Sequence, residues 1–241
     1  MEYPYLVSVL LPTRARPELM LQSITSIIEK ARHPEKVQIL LKIDNDDMES
    51  YVDYYSEIEK ITPHYKVIYS PRGLGYGDLH THVNDLCAIA DGEYLFLWND
   101  DAELLTVEWD KIMEEHSQGL HGTPIAVIQI DDTAGWKFGF PFVHREIYRA
   151  IGHFSLNAHN DTWMHMVAEA AGVERMEWRI LTNHYRYDLS ADPKMVDETY
   201  TDIWNEQYGG YHQTHQLLMT PEQTELRRQD SLKIRNLLDR M

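Results

Sequence analysis

The sequence contains a single cysteine, Cys87, among its 241 residues. One cysteine cannot form an intrachain disulfide, which fits a reducing compartment. No apolar run approaches the roughly 20 residues that a membrane-spanning helix requires. The apolar run near the start, residues 6–11, also lacks the basic flank of a signal peptide. We therefore expect a cytoplasmic protein without a transmembrane segment.

Basic residues are scarce relative to acidic ones. Lys and Arg number 22 and Asp and Glu number 39, so the formal net charge is −17 at pH 7. Such an acidic chain is a poor candidate for binding a nucleic acid, and a phosphorylated ligand would need a metal ion or a local cationic pocket. The hydrophobic share of 43% and the charged share of 25% are typical of a globular protein of one or two domains.

The first half of the chain alternates short apolar runs with longer amphipathic ones. The short runs predict strands at residues 6–11, 37–43, 65–69, 94–98 and 125–130. The longer runs predict helices at residues 17–32, 48–61, 78–90 and 107–118, the third of them capped by Asp78. Strands separated by helices of this length indicate βαβ units and a largely parallel sheet in an α/β fold.

The second half is less regular, with predicted helices at residues 145–151 and 161–171 and a strand at 176–181. A final helix is predicted to start with Thr220 as N-cap and Pro221 in its first turn. Its apolar stripe consists of Leu226, Ile234, Leu237, Leu238 and Met241. We expect this stripe to be buried against the rest of the chain; burial against a second copy would instead make a homo-oligomer.

Three of the predicted strands run directly into polar clusters: Thr13-Arg14, residues 44–47 and residues 99–101. The carboxyl ends of parallel strands border the ligand crevice of an open α/β sheet. The three clusters are therefore expected to converge on one site.

The segments around these clusters are distinctive in their order. Residues 7–17 form a strand followed by a loop with two arginines, residues 44–46 read Asp-Asn-Asp, and residues 97–101 read Leu-Trp-Asn-Asp-Asp, with Glu108-Trp109 after them. In this order and spacing they resemble the family 2 glycosyltransferases of the GT-A fold. The first segment is similar to that family's opening strand and nucleotide loop, and residues 97–101 lie where the family has its Asp-x-Asp metal motif.

The resemblance covers about residues 5–187, which we take as one GT-A-like domain, with residues 188–241 as a C-terminal extension. The sequence departs from the family at Asn99, which replaces the first Asp of Asp-x-Asp, and at Asn160, which replaces the first residue of an acidic pair. It also has no Gln-x-x-Arg-Trp near its end, which argues against a processive polysaccharide synthase.

The resemblance implies metal-dependent transfer of a hexosyl group from a nucleotide-diphosphate sugar, with UDP or GDP as the nucleotide, to a hydroxyl acceptor. It implies Mn²⁺ or Mg²⁺ held by Asp101 and His184, and inversion with Asp161 as the base. It places these residues at the nucleotide sugar: Pro12, Thr13, Arg14, Arg16, Asp44, Arg72, Gly73, Asn84, Asn99 and Asp100. On the acceptor side it places Trp136, Phe138 and Arg145.

Simpler structural roles remain open for the same residues. Acidic residues after a strand often form a solvated turn, and Asp161 could be a plain helix cap. His184 could be a core or surface histidine without a ligand. The only role of the two loop arginines could be to pair with the nearby acidic residues.

Two other functions also remain open. A nucleotidyltransferase on a similar sheet usually carries a glycine-rich loop after its first strand, and residues 13–17 contain no glycine. A decayed nucleotide-sugar-binding protein is favoured by Asn99, because an amide brings no charge to a metal.

Overall fold

The computed structural model describes residues 3–133, 135, 138–185, 201, 203–205 and 209–241. An eight-stranded mixed sheet lies at its centre. The strands are β1 (Tyr5–Thr13), β2 (Val37–Asp44), β3 (Tyr65–Ser70), β4 (Gly92–Leu97), β5 (Ala102–Leu104), β6 (Val127–Asp132), β7 (Phe142–His144) and β8 (Glu174–His184).

The sheet has the order β3-β2-β1-β4-β7-β6-β8-β5. Strands β3, β2, β1 and β4 pair in parallel, and β6 pairs in parallel with β8. Only β7 and β5 run in the opposite direction to the strands beside them. The prediction of a mainly parallel α/β sheet is therefore confirmed.

Helices cover both faces of this sheet. On one face lie α1 (Pro17–Glu29), α2 (Tyr55–Ile61) and α4 (Trp109–Ser117). The other face carries α3 (Leu79–Ile89), α5 (Arg145–Ile151), α6 (Asn160–Ala171), and two C-terminal helices, α7 (Tyr211–Leu218) and α8 (Pro221–Leu238). Strand β1 alternates between the two cores, with Val9 and Leu11 in the first and Leu10 in the second, because successive side chains point to opposite faces of a strand.

Several predicted boundaries need correction. The segment predicted as one helix at residues 48–61 begins as a 3₁₀ helix, Met48–Tyr54, and only then becomes α2. Helix α1 ends at Glu29 rather than at residue 32, since the backbone N–H groups of Arg32 and His33 donate to the buried carboxylate of Asp110 at 2.7 Å each. Asp78 stands before α3, but its side chain accepts from the Leu74 backbone N–H and does not cap the helix.

The final helix starts as predicted, and its cap is confirmed: Thr220 accepts a hydrogen bond from the backbone N–H of Gln223 at 3.3 Å. Helix α8 packs on α5 and α6. Asp230 accepts from His153 at 2.8 Å, and Ser231 donates to the backbone oxygen of Val167 at 3.1 Å. The C-terminal helix therefore docks on the same chain through polar contacts as well as apolar ones.

The predicted apolar stripe of α8 is only partly right. Ile234 is fully buried, whereas Met241 lies beyond the helix and is 78% exposed. The helix also buries Arg227, whose guanidinium lies 5.4 Å from the centre of the Trp163 ring. None of the helices in the described part of the chain is long and apolar enough to cross a membrane.

Replacing Ile234 by Ala should lower the free energy of unfolding by about 2–5 kcal/mol, because the substitution leaves a cavity between α8 and the helices beneath it. Leu232→Ala, on the same helix at 40% exposure, should change it by no more than about 0.5 kcal/mol. Urea denaturation of both variants measures the difference. Equal stabilities would contradict the docking of α8.

Candidate active site

A cleft of about 290 Å³ opens at the carboxyl ends of β1, β2 and β4, at the lower end of the range for small-molecule sites. The three polar clusters predicted to converge do meet there. The sequence-predicted residues that line the cleft are Pro12, Thr13, Arg14, Arg16, Asp44, Arg72, Asn99, Asp100, Asp101, Asp161 and His184.

The floor of the cleft is a buried network that joins the loop after β1 to the end of β4. Asp100 accepts a hydrogen bond from the Thr13 hydroxyl at 2.8 Å and one from the Arg16 guanidinium at 3.3 Å. Arg16 also lies 3.5 Å from the Asp101 carboxylate and is itself only 6% exposed. One guanidinium therefore bridges both carboxylates.

The two carboxylates differ in acidity. Burial is the largest influence on Asp100 and raises its pKa to about 6, with Arg16 opposing that rise and Asp101 adding to it. Burial acts in the same direction on Asp101, but His184 and Arg16 outweigh it and hold the pKa of Asp101 below its usual value. Asp101 is therefore the more readily ionised of the pair.

Asp101 and His184 form a donor set that fits a divalent cation. His184 Nε2 lies 3.1 Å from Asp101 Oδ1, and the side-chain amide nitrogen of Asn99 lies 3.4 Å from the same Nε2. A carboxylate oxygen and an imidazole nitrogen, with an amide beside them, suit Mn²⁺ better than Mg²⁺. Arg16 also holds the other oxygen of Asp101, so a cation would share this carboxylate with a guanidinium.

The opposite end of the cleft, at the end of β2, joins the predicted Arg14 and Asp44 to a buried lysine, Lys42, that the sequence analysis did not single out. Arg14 donates to Asp44 at 3.0 Å and to Asp46 at 2.6 Å. Lys42, only 1% exposed, forms an ion pair with the other oxygen of Asp44. Burial lowers the pKa of Lys42, and the Asp44 carboxylate opposes this shift.

His82 of α3 completes this end, with its Nε2 3.2 Å from Lys42 Nζ. Burial also lowers the pKa of His82. Lys42 stands two residues before Asp44, on the same side of β2, so the alternation of the strand could have revealed it. His82 becomes a neighbour only through the packing of α3.

Asp161 lies in the first turn of α6, at the rim of the cleft. Its Oδ1 accepts from the backbone N–H of Thr162 at 2.7 Å. The helix starts after His159, so Asp161 is not the N-cap residue. Its side chain is partly exposed, and it can therefore reach a ligand in the cleft.

Besides Gly73, four predicted site residues lie away from the cleft or outside the described residues. Asn84 donates to the Ser155 oxygen at 2.8 Å and accepts from the Phe154 N–H at 2.6 Å, so both ends of its amide hold the chain before α6. Arg145 donates to the oxygen of Gly92, at the opposite end of β4 from the cleft. Phe138 stacks on His165 at 3.8 Å. Trp136 lies outside the described residues.

Gly73 does not line the cleft, although Arg72 does. Its φ of +59° is in the left-handed region, and a Cβ there would collide with the Asp78 carboxylate. This glycine therefore shapes the loop after β3.

A second group of potential metal ligands lies away from the cleft. His116, His121 and Glu177 place one ligand atom each within 4.8 Å of the others. Arg179 occupies the same space: its Nη2 lies 2.7 Å from Glu177 Oε2 and 3.1 Å from His121 Nε2. A guanidinium therefore already pairs with this carboxylate, as Arg16 does with Asp101 in the cleft.

The Glu177 ion pairs predict a change of stability with pH. Burial alone would raise the pKa of Glu177, but hydrogen bonds from Arg179 and His116 outweigh it and lower the pKa to about 2, from an ordinary 4.5. The stabilisation from these ion pairs is complete above the pKa of Glu177 in the unfolded chain. It is lost as the pH falls through the lower pKa of Glu177 in the folded protein. Measured by urea unfolding, the stability difference between wild type and Glu177→Gln should therefore shrink as the pH falls below 4.5.

Leu232→Ala, at a partly exposed position, changes no ionisable group and is the control for this measurement, so its difference from wild type should stay the same across that range. A Glu177→Gln difference that is constant with pH would contradict the assigned ion pairs.

The sheet order and the cleft at the ends of its central strands are those of a GT-A nucleotide-diphospho-sugar transferase fold. Residues 8–175 match the family described as Glycosyl transferase family 2. The match spans more than half of the chain, and the chain belongs to this family. No curated protein sequence matches the chain.

Solved structures support the same fold. One is the mannosyltransferase PcManGT from Pyrobaculum calidifontis in complex with GDP-Man and Mn²⁺, which is 14% identical to this chain with a TM-score of 0.58. The alignment covers 76% of this chain and 57% of the PcManGT chain. Another is S. aureus TarS 1-349 in complex with UDP-GlcNAc, which is 12% identical to this chain with a TM-score of 0.60. The alignment covers 93% of this chain and 79% of the TarS chain. The chain thus spans little more than half of the length of PcManGT.

Proposed function

We propose that this chain transfers a hexosyl group from a nucleotide-diphosphate sugar to a hydroxyl acceptor, in a non-processive reaction that inverts the anomeric centre. The observation that carries this proposal is the convergence of Arg14, Arg16, Lys42 and Arg72 on one cleft in a protein whose net charge is −17. The same cleft also holds the carboxylates of Asp44, Asp100, Asp101 and Asp161. The basic groups would therefore bind an anionic ligand such as a diphosphate as local charge-assisted hydrogen-bond donors and not through a net positive charge of the cleft.

The position of each group suggests its role. Arg16 and Arg72 can donate hydrogen bonds to the diphosphate oxygens. The end of β2, with Lys42 and Asp44, offers a donor and an acceptor to the nucleobase and ribose. GDP-Man and UDP-GlcNAc, which the similar proteins bind, are the first donors to test.

Asp101 and His184 would hold a divalent cation, with Asn99 beside them. When bound, such a cation neutralises the negative charge of the diphosphate leaving group. Asp100, tied to Thr13 and Arg16, fixes the backbone on which Asp101 stands.

Asp161 is proposed as the base. Its carboxylate would accept the proton of the acceptor hydroxyl while that oxygen bonds to the anomeric carbon of the donor. The bond from the anomeric carbon to the diphosphate breaks, and the nucleoside diphosphate leaves with the bonding electrons. A single displacement of this kind inverts the configuration. We further propose that residues 1–187 form the transferase domain and residues 188–241 an extension of it.

Release of nucleoside diphosphate tests whether the chain is an enzyme. Wild-type protein incubated with Mn²⁺ and either UDP-GlcNAc or GDP-Man should release UDP or GDP slowly, with water as the acceptor. A protein that binds a donor tightly but releases no nucleoside diphosphate, with water or with any hydroxyl acceptor, would instead be a nucleotide-sugar-binding protein, as Asn99 suggests.

A further inference from the structure

Four aromatic rings stand together at the end of the cleft that holds Asp161. The ring of His159 lies 4.6 Å from that of Tyr211 and 5.9 Å from that of Tyr76, both edge-on. The Trp204 ring lies 5.3 Å from the ring of Tyr211. All four side chains line the cleft, and Trp204 and Tyr211 come from the C-terminal part of the chain, beyond the family match.

This aromatic wall, defined as Tyr76, His159, Trp204 and Tyr211, is fixed to the start of α6. His159 is buried and its Nε2 lies 3.1 Å from the Thr214 hydroxyl of α7. Asn157 donates to the Thr214 backbone oxygen at 3.0 Å. Since His159 stands two residues before Asp161, the contacts that hold the wall also fix its position relative to that carboxylate.

The chemistry of the wall favours one class of ligand. Trp204 is 40% exposed, and the faces of aromatic rings are negatively polarised and attract weakly positive C–H groups. A sugar ring presents such C–H groups on its faces and hydroxyls around its edge. Asn160, Asp161 and Thr162 line the neighbouring part of the cleft and can hydrogen-bond those hydroxyls.

The charge of the wall argues against an anionic acceptor. Its four residues and the lining residues 158–162 include the carboxylate of Asp161 and no Lys or Arg. The cationic groups of the cleft stand instead on the loops after β1 and β3 and near the end of β2, where the diphosphate is proposed to bind. A phosphorylated or carboxylated acceptor would therefore meet a like charge at Asp161.

We propose that this aromatic wall is the acceptor subsite and that the acceptor is a neutral saccharide, stacked on Trp204 and Tyr211 with one hydroxyl directed at Asp161. This inference rests on the proposed function, which supplies the reaction. It assigns a substrate-binding role to the C-terminal extension.

Binding of uncharged saccharides tests the proposal directly. Calorimetric titration of wild type, saturated with UDP or GDP and Mn²⁺, would use maltotriose, cellotriose, mannotriose and chitotriose as probes. At least one should bind. Trp204→Ala should weaken its binding by about tenfold or more, while Trp204→Phe, which keeps a ring, should retain most of it.

Trp178→Ala is the matched control, since Trp178 is 52% exposed on β8 and does not line the cleft. It should bind the saccharide as wild type does. Unchanged melting temperatures of the Trp204 variants would show that both are folded. Equal saccharide binding by wild type and Trp204→Ala would overturn the assignment of the wall.

Failure of this proposal can be told apart from failure of the proposed function. A wild type that binds UDP or GDP but none of the four saccharides would overturn only the acceptor assignment. A wild type that binds neither nucleotide would overturn the proposed function itself.

Discussion

Replacing Asp161 by Asn should reduce the rate of glycosyl transfer by a factor of about 10²–10⁴, the usual contribution of a general base. The amide keeps the size of the side chain, and its oxygen can still accept from the Thr162 backbone N–H at the start of α6. It cannot, however, take up the proton of an acceptor hydroxyl. Affinity for the nucleotide sugar should change little, because the cationic groups of the cleft stand on β2 and on the loops after β1 and β3 and not on α6. Steady-state kinetics with separate titration of the donor measures both effects.

Glu169→Gln is the matched control for this experiment. Glu169 is exposed in the last turn of the same helix, α6, so the substitution removes the same charge from that helix at its other end. It should leave transfer unchanged. An Asp161→Asn enzyme with nearly wild-type turnover would reduce Asp161 to a structural residue of the first helical turn.

Replacing Asp101 by Ala should abolish the gain in nucleotide affinity that Mn²⁺ provides. We expect nucleotide affinity in the presence of the metal to fall by at least about 100-fold. Replacing a residue that only hydrogen-bonds a metal ligand already costs about 10–100-fold in metal affinity, and Asp101 would be a ligand itself. Without metal, the variant should bind UDP or GDP no more weakly than wild type, since one negative charge has left the neighbourhood of the diphosphate. Calorimetric titrations with and without Mn²⁺ separate the two effects.

Glu103→Gln provides the comparison for Asp101. Glu103 stands two residues later on β5 and pairs with Lys30 outside the cleft, so its loss removes a nearby charge without touching the proposed cation site. Its Mn²⁺ response should match that of wild type. An Asp101→Ala protein that retains the full response to Mn²⁺ would contradict the proposed ligand.

The central strands could be predicted from the sequence because they are buried on both faces. Strand β2, at Val37–Asp44, has no exposed residue, and its apolar run is interrupted only by Gln38 and Lys42 before it ends at the acidic cluster. Strand β5 escaped prediction. It has only three residues, Ala102–Leu104, and depends on its pairing with the end of β8.

The candidate site was predictable where it follows strand ends and was missed where distant segments meet. Thr13, Asp100 and Asp101 follow β1 and β4, which are neighbours in the sheet. Asn84 and Arg145 stand in segments that resemble the family, but neither side chain lines the cleft, because helix packing turns them towards backbone oxygens.

The aromatic wall had no local signal in the sequence. Tyr76 and His159 are 83 residues apart, and Tyr211 and Trp204 lie in a polar stretch without clear periodicity. Only the docking of α7 on the chain before α6, through Thr214, brings these rings together.

A thermal-shift screen of nucleotide sugars with Mn²⁺ tests the central claim most directly. Ligands that bind only the folded state raise the melting temperature by mass action. We predict that one class of donor, UDP-sugars or GDP-sugars, raises the melting temperature of wild type in the presence of Mn²⁺ and raises that of Asp101→Ala much less. No shift with any nucleotide sugar, with or without Mn²⁺, would contradict the assignment of this cleft to a nucleotide-sugar donor.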